Sequence, residues 1–264
     1  MIPKVIHYCW FGGNPIPERD RSYIEGWKKK CPDYEIVEWN EGNYDVSKNK
    51  YMEQAYEEKK WGFVSDYARL DIVYQYGGIY FDTDVELLKP LDDLLELEMF
   101  CGFESRDYVA FGLGFGAEQG NPIIKTVQDI YETLVFRDKT GLLNQTACPI
   151  YQTRALMEHG LICNNHYQKL SKGTVFPTEY FAPIDVDTGI LTVTEHTYSI
   201  HHYNMSWFSK GQKKLYEKRK QLNLRYGKRL AGYFIMPYRF VYKIEDIGVR
   251  DTIMLMKKRI LKKC

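Results

Sequence analysis

The sequence has 264 residues, of which 44% are hydrophobic and 27% charged. A disordered or fibrous chain is therefore excluded, because this much apolar surface can offset the entropy cost of ordering. The formal net charge of +1 is lower than a general nucleic-acid binder usually carries. The charges are segregated, however: residues 209–264 hold 17 Lys and Arg against 4 Asp and Glu, whereas residues 1–208 hold 19 against 31. We expect an acidic catalytic body over 1–208 and a basic helical extension over 209–264.

The cysteines and the apolar runs predict the cellular compartment. The six cysteines are widely scattered and form no CxxC pair, which favours free thiols in a reducing compartment over a disulfide framework. The N-terminus begins with a strand-like segment and lacks the apolar core of a signal peptide. No apolar run approaches the roughly 20 residues that span a bilayer. We therefore expect a cytoplasmic protein, held at most peripherally on the inner face of the cell membrane.

Strand and helix patterns alternate through the first half of the chain. Strands are predicted at 4–9, 34–39 and 79–81, and helices at 17–30, 48–59 and 65–76. Ser65 is expected to cap the third helix, and Gly77-Gly78 to end it. This alternation is typical of an α/β fold with a mostly parallel central sheet flanked by helices.

Beyond residue 84 the pattern is less regular. It predicts strands at 99–103, 109–115 and 197–201 and helices at 121–136 and 143–158. Gly112, Gly114 and Gly116 alternate with apolar residues. This spacing indicates either a backbone that approaches a ligand closely or an irregular strand.

The Asp82-Thr83-Asp84 triplet stands where the apolar strand at 79–81 ends. Strand ends are where α/β proteins place ligand sites, and carboxylates at i and i+2 can hold one hard cation with its phosphate oxygens. Such triplets also occur in ordinary surface turns. Asp66 and Arg69 lie one turn apart on the preceding helix. They form either a surface ion pair or an oriented guanidinium that holds phosphate or sugar hydroxyls.

Three segments together resemble glycosyltransferase family 32. They are IPKVIHYCW at residues 2–10, SDYAR at 65–69 and GGIYFDTD at 77–84. The family includes capsular-polysaccharide sugar transferases and yeast mannosyltransferases, and it is distantly similar to the glucosylating domains of large clostridial toxins. The match is dense up to about residue 120. It implies a GT-A-like nucleotide-sugar-binding fold for the body.

The resemblance implies a role for each matched residue. In that family the DXD carboxylates bind Mn²⁺ or Mg²⁺ and the diphosphate of the donor, which makes Asp82 and Asp84 metal ligands here. Asp66 and Arg69 match the catalytic pair that grips the donor sugar and phosphate. The nucleotide-binding positions are His7, Trp10, Asn40 and Asp82. Of these, the tryptophan is implied to stack on the base.

The segment HHYNMSW at 201–207 resembles the C-terminal motif of the family. There a third metal ligand comes first, and a serine and a tryptophan contact the leaving diphosphate. Ser206 and Trp207 match the last two positions. For the ligand we take His202 over His201, although strand alternation does not decide between them.

Asn144 and Gln145 resemble the polar pair near the anomeric carbon in the toxin-like relatives. They are expected to open the helix at 143–158, and Asn is also a favoured N-cap.

The implied activity is a metal-dependent, retaining hexosyl transfer from a nucleotide-diphosphate sugar. We expect a UDP-sugar rather than GDP-mannose as donor. The expected acceptor is a glycan or polyprenyl-linked oligosaccharide in surface polysaccharide synthesis. One alternative is a haloacid-dehalogenase-like phosphohydrolase, against which Glu86 counts because those sites place a small or β-branched residue there. The other is a non-catalytic carbohydrate-binding scaffold, which does not require the intact set of charged residues.

The basic extension shows helical spacing of apolar residues at Val249, Ile253, Met256 and Ile260, with lysines and an arginine crowding 257–263. A basic amphipathic helix can lie on an anionic bilayer. We expect peripheral attachment through about residues 225–264. The alternative is a helix packed on the acidic body with its basic face solvated.

Overall fold

The computed structural model describes residues 1–204 and 208–261. They separate into two compact units. The first contains Met1–Ile184 and Leu191–Asn204, and the second contains Asp185–Ile190 with the described residues from 208 onward. The domain boundary expected near residue 208 stays a prediction.

The first unit is built on a mixed β-sheet. The strands are β1 (Val5–Cys9), β2 (Glu35–Trp39), β3 (Gly78–Tyr80), β4 (Val85–Leu87), β5 (Met99–Phe103), β6 (Val109–Ala110), β7 (Phe115–Ala117), β8 (Gln168–Leu170), β9 (Gly173–Phe176) and β10 (Ser199–His201). Among the described residues the main sheet has eight strands in the order β2-β1-β3-β7-β5-β9-β8, with β6 paired to β5. Strands β2, β1, β3, β5 and β9 share one direction, and β7 runs antiparallel between β3 and β5. The predicted fold class is confirmed.

Helices flank the sheet in the first unit and also form the second unit. They are α1 (Glu18–Lys30), α2 (Lys50–Glu57), α3 (Trp61–Tyr76), α4 (Pro122–Glu132), α5 (Cys148–Glu158), α6 (Thr178–Phe181), α7 (Lys210–Phe234) and α8 (Met236–Leu261). The order of elements predicted for the first half of the chain is confirmed. Most boundaries shift by a few residues because propensity fixes helix ends poorly.

Three local predictions were wrong. Helix α3 begins at Trp61, so Ser65 lies inside it and its hydroxyl donates to the Trp61 carbonyl instead of capping. The cause is packing, since Phe63 and Val64 are buried and the core extends the helix towards its N-terminus. The strand predicted at 109–115 is interrupted by a 3₁₀ turn at Phe111–Leu113. Helix α5 begins at Cys148, which leaves Asn144 and Gln145 in the preceding loop.

Both faces of the main sheet are buried. Along β3 and the residue after it, Ile79 and Phe81 join one apolar cluster with Trp27 of α1, while Tyr80 joins another with Leu70 of α3. Successive side chains of a strand point to opposite faces, so the two clusters lie on opposite sides of the sheet. Burial on both faces explains why the strands read as continuous apolar runs in the sequence.

A short second sheet fixes the chain immediately after the acidic triplet. Strand β4 pairs antiparallel with β10, with His201 opposite Val85 and Ile200 opposite Glu86. The backbone N–H of His202 also donates to the Asp84 carbonyl at 3.0 Å. The end of β10 is thereby held beside Asp84, although 116 residues separate His202 from Glu86 along the chain.

The second unit contains an antiparallel pair of helices. Gly227 has non-helical dihedrals (φ 74°, ψ 158°) and divides α7 into segments 210–226 and 228–234, and a similar break at Gly248 divides α8. Leu222 on the first segment packs with Ala231 and Ile235 beyond the break. Within the described part of the chain, no helix combines the length and the apolarity that crossing a bilayer requires.

Candidate functional site

The polar residues of the site gather where parallel strands end. In the sheet register Cys9 lies opposite Trp39, and His7 lies opposite Tyr80. Trp10 and Asn40 directly follow β1 and β2, and Asp82 lies two residues after β3, so all three reach the same edge of the sheet. This edge, beyond the carboxyl ends of the strands, is where open α/β sheets bind ligands.

A buried arginine joins two carboxylates at this edge. The Arg69 Nη2 atom lies 3.0 Å from Asp66 Oδ1 and 3.4 Å from Asp82 Oδ1, and the side chains of Arg69 and Asp66 are only 5% and 8% exposed. Arg69 Nε–H donates to the Ser65 carbonyl at 2.9 Å. The Tyr80 hydroxyl donates to Asp82 Oδ1 at 3.0 Å. The pair at 66 and 69 is thus a buried network, and the surface ion pair is excluded.

Gly112 gives this network its space. Its carbonyl accepts the Asp82 N–H at 3.3 Å. A Cβ at this position would lie 2.3 Å from Asp82 Oδ2 and 3.0 Å from Arg69 Nη1. The backbone therefore approaches the charged groups more closely than any side chain would allow. Of the two interpretations of the glycine spacing, the irregular strand is observed at Gly112, which lies in the 3₁₀ turn, and close approach to a ligand stays a prediction.

Asp84 is bound from the other side, by the end of β10. His201 Nε2 lies 3.1 Å from Asp84 Oδ1. The backbone N–H of Asn204 donates to Asp84 Oδ2 at 2.7 Å. Asp20 of α1 fixes the same region, because its carboxylate accepts from the Asn204 amide at 2.9 Å and from the Thr83 hydroxyl at 3.3 Å.

The protonation equilibria depend on these contacts. Burial opposes the charge on Asp84, but the His201 imidazole and the Asn204 N–H hold the pKa of this carboxyl well below its usual range. Burial likewise opposes the charge on His201, but the carboxylates of Asp84, Asp82 and Glu104 raise its pKa. Burial raises the pKa of Asp66 to about 6, opposed by Arg69.

The arrangement fits a divalent cation. One ligand atom from each of Asp82, Asp84 and His201 can be chosen so that all three lie within 4.8 Å of one another. Carboxylates suit Mg²⁺ and Mn²⁺, and an added imidazole is also acceptable to Mn²⁺. His201 Nδ1 is buried and has no hydrogen-bond partner among the described residues. The chemistry of this donor set therefore agrees with the expected metal.

The histidine in this cluster is His201, which corrects the choice of His202. The ring of His202 stacks on Tyr23 at 4.8 Å between centroids, and its Nε2 lies 2.9 Å from Glu86 Oε2. Consecutive residues leave an extended chain on opposite sides, so only one of the two histidines can face Asp84. The β4–β10 register selects His201.

The ring of His7 makes its polar contacts within the protein. Its side chain is buried, Trp39 Nε1–H donates to His7 Nδ1 at 3.1 Å, and His7 Nε2 lies 2.9 Å from the Gly77 carbonyl. Burial lowers the pKa of His7 to about 4. In the neutral ring, Nδ1 accepts from Trp39 and Nε2 donates to the Gly77 carbonyl. Both ring nitrogens therefore have partners, and they connect the end of α3 to the sheet. These contacts give His7 a structural role, and its nucleotide-binding assignment stays an untested prediction.

Trp10 and Asn40 lie at the expected edge. Trp10 is half-buried, and its Nε1–H donates to the Asn14 carbonyl at 2.5 Å. The side chain of Asn40 donates to Glu38 and accepts from the Gly42 N–H, so its polar atoms already have protein partners. Trp10 thus lies at this edge with its ring partly packed on an apolar cluster, while Asn40 shapes the turn beside it.

Among the described residues, no hydrogen bond links Asn144 or Gln145 to this network. Asn144 bonds to the Tyr151 hydroxyl and to the Thr146 N–H. Both line a separate open cavity of about 400 Å³ with Val135. No hydrogen bond or ion pair joins either residue to the described carboxylates of the site. Their assignment near the anomeric carbon stays a prediction. Ser206 and Trp207 lie outside the described residues.

Sequence reasoning missed two groups at the site. Glu104 directly follows β5, which ends at the same edge as β3, and it lies close enough to His201 and Asp82 to interact with their charges. Its carboxylate has no hydrogen bond or ion pair with the part of the chain that is described. Cys148, at the start of α5, donates its thiol to Asp66. The sequence could have indicated Glu104 as a site residue, because it directly follows a predicted strand. No local sequence pattern indicates Cys148.

Comparisons with known proteins find relatives of the segment that carries the DXD carboxylates. Residues 17–101 match the family described as "Glycosyltransferase sugar-binding region containing DXD motif". Over 110 residues the chain is 32% identical to inositol phosphoceramide mannosyltransferase 1 of Schizosaccharomyces pombe, which covers 38% of this chain and 33% of that protein. Over 106 residues it is 34% identical to uncharacterized glycosyltransferase L373 of Acanthamoeba polyphaga mimivirus, with coverage of 38% and 42%.

Among solved structures, a PaToxG glycosyltransferase superposes with a TM-score of 0.49 at 21% identity, over 60% of this chain and 68% of that one. The chain spans about a third of the length of the first curated relatives. Residues 17–101 match the model of the DXD-containing glycosyltransferase family, which confirms the resemblance drawn from the sequence over that part of the chain.

Replacing Gly112 by alanine tests the close approach. The added Cβ would displace Asp82 or Arg69, so Gly112→Ala should weaken binding of UDP with Mn²⁺ at least tenfold, or by about 1.4 kcal/mol. Calorimetric titration measures this. Gly26→Ala in α1 is the control, because its Cβ would meet nothing within 4 Å. Equal affinities for the two variants, with both folded in thermal unfolding, would contradict the assigned role of Gly112.

Proposed function

We propose that the protein is a metal-dependent, retaining glycosyltransferase. It moves a hexosyl group from a nucleotide-diphosphate sugar, with UDP-sugars preferred, to a glycan or polyprenyl-linked oligosaccharide in surface polysaccharide synthesis. The observation that carries the proposal is the buried Arg69 held between Asp66 and Asp82, next to the cluster of Asp82, Asp84 and His201. The carboxylates and the arginine all lie inside the matched DXD region.

The metal would be held by Asp82, Asp84 and His201. When bound, Mn²⁺ or Mg²⁺ supplies a Lewis acid that neutralises charge developing on the leaving diphosphate. The protein keeps the ligands ready, since Asp84 is ionised and His201 is oriented by the β4–β10 pairing. Asn204 holds the second oxygen of Asp84.

The donor sugar would lie beside Arg69 and Asp82. Neither Arg69 Nη1 nor Asp82 Oδ2 forms a hydrogen bond with the described residues. The pair therefore offers a sugar hydroxyl or a phosphate oxygen one charged donor and one charged acceptor. Fixing the sugar between such groups lowers the barrier by positioning it for attack.

Retention is best served by front-face displacement. Asp66 and Asp82 are committed to Arg69, and Asp84 is committed to His201 and Asn204. Glu104 is the one carboxylate of the described site without such a partner, and we assign it to the acceptor rather than to the anomeric carbon. In this step the acceptor oxygen bonds to the anomeric carbon as the bond to the diphosphate breaks. The acceptor's proton passes to the leaving phosphate oxygen. No enzyme nucleophile is required.

Donor hydrolysis provides the direct test. The purified protein is incubated with UDP- and GDP-linked sugars and Mn²⁺, and released nucleotide is measured. GDP-mannose is included because the relatives carry mannosyltransferase names, and lipid-linked acceptors are included because one name specifies an inositol phosphoceramide. Slow, chelator-sensitive hydrolysis of a nucleotide-sugar supports the proposal. Preferred hydrolysis of a phosphomonoester would identify a phosphohydrolase, and inertness towards every substrate would identify a scaffold.

The two adjacent histidines give a matched pair of variants. His201→Gln should reduce metal-dependent hydrolysis by more than about 100-fold, a larger loss than removing an outer-shell partner typically causes. His202→Gln should retain activity, because its ring contacts Tyr23 and Glu86. Asp84→Asn, which removes a ligand charge at constant shape, should match His201→Gln. A reversed order of the two histidine variants would refute the assignment.

Trp10 tests base recognition. If its ring stacks on the base, Trp10→Ala should weaken nucleotide binding by ~1–3 kcal/mol. Titration with UDP measures the affinity, and thermal unfolding of the same sample measures stability. A variant that is less stable but binds nucleotide normally would show that Trp10 is only a packing residue.

Glu104 is assigned to the acceptor. Its carboxylate lies near the cluster without a hydrogen-bonding partner among the described residues, and can accept a bond from an acceptor hydroxyl. Glu104→Gln should raise the KM for acceptor about tenfold, the loss of a charged hydrogen bond, while donor hydrolysis continues. If the variant instead loses donor hydrolysis completely, Glu104 acts on the donor, as a nucleophile would.

The proposed place of action is the inner face of the cell membrane, where a lipid-linked acceptor would be presented. The support is the excess of positive charge in residues 209–264. The apolar spacing expected at 253, 256 and 260 falls on side chains outside the described set.

A further inference from the structure

The helix after Gly227 has one buried face. It continues through Ile235, whose dihedrals are helical (φ −75°, ψ −19°), and runs to the break at Gly248. Ala231 and Ile235 are buried against Leu222 of the 210–226 segment. Further along, Lys218 lies 4.7 Å above the ring of Tyr238. This side of the helix is therefore fixed to its neighbour in the second unit.

The other side of the same helix exposes large apolar side chains. Leu230, Phe234 and Val241 recur at i, i+4 and i+11, which places them on one face. Neighbouring positions widen this surface, which we call the apolar face: Leu230, Tyr233, Phe234, Met236, Phe240 and Val241. Their exposed fractions run from 40% for Phe240 to 78% for Tyr233. Ala231 and Ile235 are 1% exposed, so the helix has a clear inner and outer side.

Positive charge predominates around the apolar face. Residues 218–244 contain eight Lys and Arg and no Asp or Glu, and the acids that follow, Glu245 and Asp246, bond to Lys214 and Ser209 at the start of the neighbouring helix segment. Arg229, Arg239 and Lys243 are exposed and form no ion pair with the described residues. By helical spacing they lie along the edge of the apolar face. Cations beside exposed aromatic and aliphatic side chains are typical of helices that lie in a membrane interface.

We propose that the apolar face of residues 228–247 binds the surface of an anionic bilayer. Its aromatic and aliphatic side chains would enter the boundary between headgroups and acyl chains, and the flanking Arg and Lys would pair with lipid phosphates. A second copy of the chain is a poorer occupant, because it would bring the same eight positive charges face to face. The apolar face is distinct from the apolar stripe that the sequence predicts at 249–260. It precedes that stripe in the chain.

Vesicle flotation with the full-length protein tests this without any donor or acceptor, so its outcome is independent of the proposed transfer activity. Phosphatidylcholine vesicles with increasing phosphatidylglycerol are the probe. Binding should rise with phosphatidylglycerol and fall with salt. Arg229→Gln with Arg239→Gln should lower the partition coefficient about thirtyfold, which corresponds to about 1 kcal/mol for each charge.

A double replacement separates the apolar contribution from the charge. Tyr233→Ser with Phe234→Ser should lower vesicle binding at least tenfold. Met157→Ser with Ile162→Ser is the matched control, since these side chains are 57% and 65% exposed in the first unit. Circular dichroism verifies that each variant is folded.

The proposal is overturned if the wild type fails to bind at any phosphatidylglycerol content, or if both double variants bind like the wild type. It is also overturned if sedimentation shows a dimer that the Tyr233 and Phe234 replacements abolish, because the occupant would then be a second copy.

Discussion

The guanidinium of Arg69 is the interaction on which the site depends. It is buried and bound to Asp66 on its own helix and Asp82 at the end of β3. Removing either partner of such a buried pair leaves an uncompensated charge, which typically costs 3–5 kcal/mol. The helix and the strand are therefore locked in one relative position. Because Asp84 follows Asp82 by two residues, the same lock places the second carboxylate of the motif.

The site still carries more negative than positive charge. Four carboxylates lie at the site, those of Asp66, Asp82, Asp84 and Glu104. Among the described residues, the positively charged groups beside them are only Arg69 and His201. Burial makes this imbalance costly, which is seen in the raised pKa of Glu104 and of Asp66. A divalent cation would remove the imbalance without any change in the fold. The electrostatics thus favour the cation that the donor atoms also fit.

Sequence patterns predicted the part of the site that is local in the chain. Asp66 and Arg69 are one helical turn apart, and Asp82 and Asp84 come after a recognisable strand, so periodicity and motif suffice. His201 depends on the register between β10 and β4, over 100 residues apart, and a shift of one residue would have presented His202 instead. For His7, the motif does not say whether the ring faces the ligand or the core, and only the structure shows that the ring is buried. Gly112 was noticed, but only the structure shows that Asp82 fills the space a side chain would need.

The near-zero net charge of the chain conceals two opposite imbalances with different physical characters. In the first unit four carboxylates that are buried or half-buried surround one small cluster with only Arg69 and His201 as cations, and screening by salt is weak there. In the second unit the Lys and Arg are spread over exposed helix surface, where a Debye length of about 8 Å at physiological salt weakens their action at a distance. The first arrangement suits a compact divalent ion held by a few atoms. The second suits an extended array of phosphates, which many separate cations can contact at once. Each imbalance therefore suits its own kind of counter-charge, and the net charge of +1 alone would reveal neither of them.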